Sequence, residues 1–447
     1  MDPNKNHYDL ALVGGHCLTL DPGFTEFSDV LILVKEGRIS FIGPGDKSPA
    51  HWTADKTINT RNKLILPAFI NAHTHLSLSL YRGLGTDLRL HDWLQKVIWP
   101  LEREFCNPDN VYLASCLSLL EMIRSGTATV TDMNFFSGYA AKAIDESGLR
   151  GFLGEALFSS PTPSIPDPLD GFNVVTELAD RYKNHPLIHS TLALHAPFTC
   201  SDSLYSEAFK VSKKLGIKLV SHVAETRKEV DLVMSRYGQT PVQWLHSLGI
   251  LYPDFIAVHA VHLTDPDIEI LAGNQVSVIH NPHSNMMLGS GICRVTDLLN
   301  QGIRVGIGTD SASSNNGLSV LTEMQTASRL QKLRTSDPSI LKARDVLRMS
   351  TAVNASILGL SEETGVLKAG SSADLIIVDA NQANMLPVHD WYAQIVYSME
   401  NHNIESLVVH GKVIMEEQRI LTLDEERIIK EVKRWTQSVS VYDFIQI

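Results

Sequence analysis

The chain predicts an α/β fold: a (β/α)8 TIM-type barrel carrying a small β-sandwich domain assembled from both chain ends. Three observations predict it. Eight short apolar runs between Leu64 and Ala312 read as buried strands, and helix-patterned segments fill the gaps between them. Continuous apolar strands alternating with helices imply a parallel sheet covered on both faces. The stretches on either side of this region carry a different texture, short and two-periodic with glycine interruptions, that suits antiparallel strands and hairpins.

The first segment, 8–63, contains DLALVGGHCLTL and DVLILVKEGRISFIG, both strand-like. The barrel strands follow near 64–74 (LILPAFINAHT), 128–133 (ATVTDM), 150–158 (RGFLGEALF) and 188–196 (IHSTLALHA). Four more lie near 218–224 (KLVSHVA), 255–261 (FIAVHAV), 275–280 (QVSVIH) and 304–309 (RVGIGT). Eight such units favour a closed barrel over an open doubly wound sheet. The excursion 76–127 between the first and second strands is where a substrate lid would sit. Strand texture returns at 365–379 and 404–416. A helix over 424–439 is expected to bury Ile428, Ile429, Val432 and Trp435 on one stripe. The expected division is therefore a composite small domain, 1–63 with 363–447, around a catalytic barrel at 64–362.

Composition narrows the function. Of 447 residues, 44% are hydrophobic and 20% charged, and 38 basic against 50 acidic side chains give a net charge of -12. That balance argues against a phosphate-backbone partner, so no nucleic acid is expected. No run approaches the roughly 18 apolar residues that span a bilayer, so no membrane association is expected. The polar start MDPNKNHYDL is no secretory signal. Five scattered cysteines without a CxxC argue for free thiols and a cytoplasmic setting. No GxGxxG or GxxxxGK[ST] turn follows any strand, which removes nucleotide-phosphate cradles.

The chemistry sits at strand ends. His73 and His75 lie two apart on one strand, so both side chains point to one face. In a closed barrel the eighth strand pairs with the first, which brings Asp310 beside that pair, and His222 arrives from the fifth strand. Three imidazoles and one carboxylate suit one divalent ion, Zn²⁺ first, with Fe²⁺ or Ni²⁺ able to use the same set.

NAHTHL, HVAE, AHAVH, NPHSNMMLGSG and GTDSASSNNG together resemble the amidohydrolase superfamily, and within it the branch of methylthioadenosine and S-adenosylhomocysteine deaminases. The resemblance covers nearly the whole chain. It implies hydrolytic removal of the 6-amino group of an adenosine-type nucleoside by a metal-activated water. It assigns Glu225 the proton shuttle to the ring nitrogen and a contact with the substrate, and gives His259 and Asp310 the attacking water. His262 is the competing, more structural histidine. Trp93 and Glu102, in RLHDWLQKVIWPLE, would face the ligand, Glu102 accepting from ribose hydroxyls, with Pro100 ending or bending the helix before it. His195, where many binuclear relatives carry a lysine, favours one metal ion and would approach the purine or its sugar. Glu155 and Met287 depart from the pattern and speak against a homocysteine-bearing substrate. Asn285 and the 313–316 run would support the mouth of the barrel. The resemblance also implies a homo-oligomer. A triazine chloro- or aminohydrolase, a deaminase of a free base such as guanine, and a non-catalytic barrel scaffold are the alternatives.

Overall fold

The computed structural model describes residues 6–445. Half of the polar start, residues 1–5, lies outside them. Its centre is a ring of parallel strands in chain order: Phe69–His75, Thr127–Asn134, Arg150–Leu157, Ile188–Ser190 with Leu192–Leu194, Leu219–Val223, Phe255–His259, Ser277–His280, and Val305–Ile307 continuing to Asp310–Ser311. Every residue of the second and third strands is buried. Their polar residues, among them Thr129, Asp132 and Glu155, are therefore enclosed along with the apolar ones.

Closure happens between the first and last strands. Asp310 pairs with Thr74 and Ser311 with His75, in parallel register. Asn354 stitches the seam: its Nδ2 donates to the carbonyls of Ile70 (2.7 Å) and Ile307 (2.8 Å), and its Oδ1 accepts the Ile307 amide at 3.1 Å. A Cβ at Gly308 would lie 2.8 Å from the His73 nitrogen, so only glycine lets the two strands approach this closely.

Two sheets from the chain ends face each other beside the barrel. One orders Arg38–Pro44, Val30–Lys35, His7–Val13 and Thr53–Asn59. The other runs Arg419–Ile420, Lys412–Glu416, Ile404–Val409, Leu375–Asp379, Lys63–Pro67, His16–Leu18 and Glu26–Ser28. Leu10, Leu12, Ile32 and Val34 pack against Ile65, Leu375, Ile377 and Val408 to form their shared core. The buried pair of Arg150 and Asp374, 3.1 Å apart, ties the start of the third barrel strand to the sheet of the chain ends.

The structure corrects several local expectations. The single strand expected at 64–74 is two: Lys63–Pro67 pairs antiparallel with Leu375–Asp379, and only Phe69–His75 enters the barrel. Pro67 cannot donate to a ladder, so it stands at the end of one strand before the chain starts the next. The terminal strands are not all antiparallel. His7–Val13 pairs with Thr53–Asn59 in parallel, because the hairpin between them returns the chain in its original direction. The 425–438 helix buries Ile428 and leans Val432 and Trp435 on the core, but Ile429 is exposed, since a stripe one residue wide suffices at this edge. Pro100 does not end its helix before Glu102. The helix runs on to Phe105, and a π-helical run at Leu94–Ile98 precedes the proline. A widened turn absorbs the missing N–H donor. No described helix is long and apolar enough to cross a membrane.

Candidate metal and catalytic site

Side chains from four strand ends converge at the carboxyl mouth of the barrel. The Nε2 atoms of His73 and His222 face one another at 3.1 Å. Asp310 Oδ1 lies 3.3 Å from His75 Nε2 and 3.7 Å from His73 Nε2. Ligand atoms of His73, His75 and Asp310 all fall within 4.8 Å of one another, and so do those of His73, His222 and His259. The four residues expected to share an ion are thus together, and His259 stands close enough to join them.

Backbone carbonyls set the ring orientations. His75 Nδ1 donates to the Met133 carbonyl (2.5 Å) and His222 Nδ1 to the His195 carbonyl (2.7 Å), while His259 Nδ1 donates to Asn285 Oδ1 at 2.8 Å. Each ring therefore carries its proton on Nδ1 and presents a lone pair from Nε2 towards the centre. Among the described residues His73 Nδ1 is buried without a hydrogen-bond partner, and the 3.1 Å between its Nε2 and that of His222 is a spacing that a proton on His73 or a bound cation spans. Burial, then the neighbouring histidines, hold His73 and His222 well below the usual histidine range, which keeps both rings in the neutral form that binds metal. Burial also works against a charged His75, but the Asp310 carboxylate outweighs it and raises this ring. The imidazole nitrogens of His73, His75 and His222 and the Asp310 carboxylate are a donor set that fits a divalent metal ion.

Asp310 and His259 occupy left-handed backbone, at φ 62° and 70°, a region that non-glycine residues rarely adopt. Such strain persists where the surroundings over-determine it. At Asp310 the surroundings are explicit: Oδ1 accepts the Ser311 amide (2.8 Å), Oδ2 accepts the Ser284 hydroxyl (2.5 Å) and Thr74 Oγ1 donates to its carbonyl (2.9 Å). Burial would push the Asp310 carboxyl up, yet His75, His259 and His73 pull it well below the usual carboxylate range.

Glu225 is buried, not a surface residue at a helix start, and Thr226 caps the helix that follows. Its Oε2 lies 3.7 Å from His259 Nε2, which is itself 3.8 Å from Asp310 Oδ2. Burial, with Asp310 adding to it, pushes the Glu225 carboxyl up to about 8. A group poised near neutrality can both give and take a proton at working pH. His262 turns away and donates from Nε2 to the Ser290 carbonyl at 2.6 Å.

The cavity over this cluster is lined by Trp93, Glu102, Phe135, Phe158, His195 and Phe198, among others. His195 stacks on Phe158 with ring centroids 4.3 Å apart and hydrogen-bonds Thr199 Oγ1 at 2.8 Å. Trp93 is a buried wall whose Nε1 donates to the Leu84 carbonyl at 3.3 Å. Burial pushes the Glu102 carboxyl up to about 8. The segment after the first strand supplies Leu78, Leu90, Leu94 and Ile98 to the same wall.

Glu155 does not line this cavity. Its carboxylate accepts the Phe136 and Ser137 amides (3.1 and 2.9 Å) and the hydroxyls of Ser137 and Ser164, so it serves the start of the helix Ser137–Ser147. The idea that it repels a substrate carboxylate therefore has no geometric basis. Met287 is exposed and also absent from the wall. Sequence reasoning missed Glu229, whose carboxylate accepts the amides of Ala224 and Glu225, both at 2.8 Å, and shapes the turn that carries Glu225. Its spacing of four from Glu225 was the available signal. It also missed Ser284 and the wall aromatics Phe135, Phe158 and Phe198, which look like ordinary core residues in a sequence.

Residues 64–414 match the amidohydrolase family. The chain is 39% identical over 425 residues, 95% of its length and 97% of the relative's, to a 5-methylthioadenosine/S-adenosylhomocysteine deaminase of Syntrophobacter fumaroxidans. It is 38% identical, with the same coverage, to a 5'-deoxyadenosine deaminase of Methanosarcina mazei. Among solved structures it superposes on a zinc-bound adenosine deaminase from Xanthomonas campestris with a TM-score of 0.94 and 30% identity, covering 97% of this chain and 99% of the other.

Proposed function

The chain belongs to the amidohydrolase family, and we propose that within it the chain is a hydrolytic deaminase that removes the 6-amino group of an adenosine-type nucleoside. One observation carries the reading: a buried glutamate of raised pKa stands beside His259 and Asp310, at the rim of a cluster of imidazoles and one carboxylate suited to a metal. His73, His75, His222 and Asp310 would hold one divalent ion, Zn²⁺ ahead of Fe²⁺ or Ni²⁺. A bound ion supplies Lewis acidity that makes a water molecule acidic enough to attack near neutral pH.

The chain's residues do the rest. Phe158, Phe135 and Trp93 give the purine flat apolar walls and exclude water around it. Glu225 donates a proton to the ring nitrogen next to C6, which makes that carbon electrophilic. His259 and Asp310, on the attacked side, orient the incoming water and take its proton. That proton passes to the amine as the C6–N bond breaks and ammonia leaves, and the hydroxyl newly bonded to C6 returns its own proton to Glu225 as it becomes the product carbonyl. Glu102 accepts hydrogen bonds from the ribose diol, and His195 lies against the purine or its sugar.

Ammonia release from 5'-methylthioadenosine, S-adenosylhomocysteine, adenosine and adenine, measured side by side, tests the reading. Release from nucleosides supports it. Inertness towards all four, or chloride release from a chlorotriazine in its place, overturns it. The same reading takes the protein as a cytoplasmic homo-oligomer. Five unpaired cysteines, four of them buried, suit a reducing compartment, and light scattering of the purified protein tests the assembly.

A further inference from the structure

The Glu102 carboxyl makes no hydrogen bond or ion pair among the described residues, so its direction is set by where the helix Trp99–Phe105 lies. Aromatic rings hold that helix from behind. Phe105, its last residue, meets Trp435 edge to face, with ring centroids 6.0 Å apart and planes at 84°. Phe105 meets Phe444 in the same way, at 5.1 Å and 83°. Trp435 also reaches Tyr81 at 6.3 Å, and the Tyr81 hydroxyl donates to the carbonyl of Leu101, the residue before Glu102, at 3.5 Å. Edge-to-face pairs at such separations are a favoured geometry for aromatic rings, and each limits how its two partners can move.

Trp435 comes from the other end of the chain, on the helix Glu425–Ser438. That helix is tied down independently of the cavity wall. Arg124 donates to Glu425 from Nε (3.2 Å) and Nη2 (2.6 Å), and to the Gln418 carbonyl from Nη1 (3.0 Å). Ile428 anchors the helix by burial. Beyond it, Val441 and Ile445 pack on the apolar cluster that includes Tyr81, Trp93 and Leu101. The C-terminal helix is therefore a fixed post, and Trp435 joins it to the segment that carries Trp93 and Glu102.

We propose that Trp435 is a positioning residue of the active site: it braces Phe105 and Tyr81 against the C-terminal helix and so holds Glu102 in reach of the nucleoside. The inference rests on the deaminase reading. Trp435 does not line the cavity, so it acts only through the helix that carries Glu102. Small displacements of such a helix matter, because a misplacement of about 1 Å can cost up to about 10²-fold in rate or binding. Trp435 and Glu102 should therefore be energetically coupled, although more than three hundred residues of chain separate them.

A double-mutant cycle tests this, with kcat and KM measured on the better of 5'-methylthioadenosine and adenosine. Trp435→Ala should raise KM by about 5-fold, short of the roughly 10-fold that loss of the Glu102 contact itself costs, and leave kcat within about twofold. Trp435→Phe, which keeps an aromatic edge, should stay within about twofold of the wild-type KM. On a Glu102→Gln background, Trp435→Ala should raise KM by less than about twofold more, because the contact it positions is already weakened. Misfolded or metal-free molecules lower kcat per chain and leave KM as it was, so KM reports the assembled site alone. Phe105→Leu removes the ring that Trp435 meets and should give the same pattern, which keeps the test standing if Trp435→Ala does not fold. An unchanged KM in these variants overturns the assignment. So does a rise that recurs in full on the Glu102→Gln background, since Trp435 would then act independently of Glu102. In both cases the wild type still releases ammonia and the deaminase reading stands. A wild type inert towards both nucleosides overturns the two together.

Discussion

Glu225→Gln separates proton transfer from everything else at the site. Glutamine keeps the volume and both heteroatom positions, so the cavity wall and the ring of histidines stay in place. It loses the ability to give up and retake a proton. In the structure the carboxyl is buried and raised to about 8, so at pH 7 it is mostly protonated and can act as an acid without first being charged. Removing a positioned general acid of this kind costs roughly 10²- to 10⁴-fold in kcat. At about 1.4 kcal/mol per decade that is ~3–5 kcal/mol of transition-state stabilisation. KM should change by much less than kcat. The geometry also supplies an internal control. Ser290 Oγ reaches Glu225 at only 3.5 Å, the limit of a hydrogen bond, so Ser290→Ala should lower kcat by no more than about fivefold. The assay is ammonia release under saturating nucleoside, with metal content measured on the same samples. Glu225→Gln retaining more than a tenth of wild-type kcat, or losing its metal, would refute the assignment of the proton transfer to this carboxyl.

Three further outcomes are expected. Asn354→Ala breaks the three hydrogen bonds that close the barrel and strands buried backbone groups; it should cost about 3–5 kcal/mol, read as a lowered urea midpoint in protein stripped of metal. Glu102→Gln should raise KM for nucleosides about 10-fold while leaving any activity on free adenine as it was, because only the ribose contact is weakened. The buried Arg150–Asp374 pair should make the fold acid-sensitive. Burial opposes the Asp374 charge, but Arg150 and then the His410 amide and Ser372 outweigh it and lower the folded pKa. A depressed carboxyl stabilises the fold above its unfolded value of about 3.9 and loses that contribution as pH falls through the folded value. Thermal unfolding followed from pH 6 down to pH 3 should show this loss. Asp374→Asn, which strands the Arg150 charge, should already be destabilised by about 3–5 kcal/mol at pH 6.

How far the sequence could be read depended on how local the cause was. The barrel strands were legible because both faces of each are buried, leaving mostly apolar runs such as those of Leu219–Val223 and Phe255–His259. That the candidate ligands lie together was legible for a related reason. A parallel barrel delivers every carboxyl strand end to one mouth, so His73, His75, His222 and Asp310 had a common destination. What stayed hidden depends on partners far apart in the chain. Lys63–Pro67 looked like the start of the first barrel strand, and only its pairing with Leu375–Asp379 reveals another sheet. Glu155 was judged by position along its strand, whereas its role is set by the amides of Phe136 and Ser137. Pro100 was judged by its missing donor, without the π-helical run that accommodates it. The cavity beside the barrel mouth that Trp99, Arg103, Pro161 and Thr199 line has no sequence signature, since its walls come from three separate loops and a helix.

The most direct measurement is metal content set beside ammonia release, for the purified wild type and for His222→Ala and Asp310→Ala. Wild type should carry about one divalent ion per chain, and both variants should lose ion and activity together. A variant that releases ammonia at the wild-type rate without metal would contradict the account.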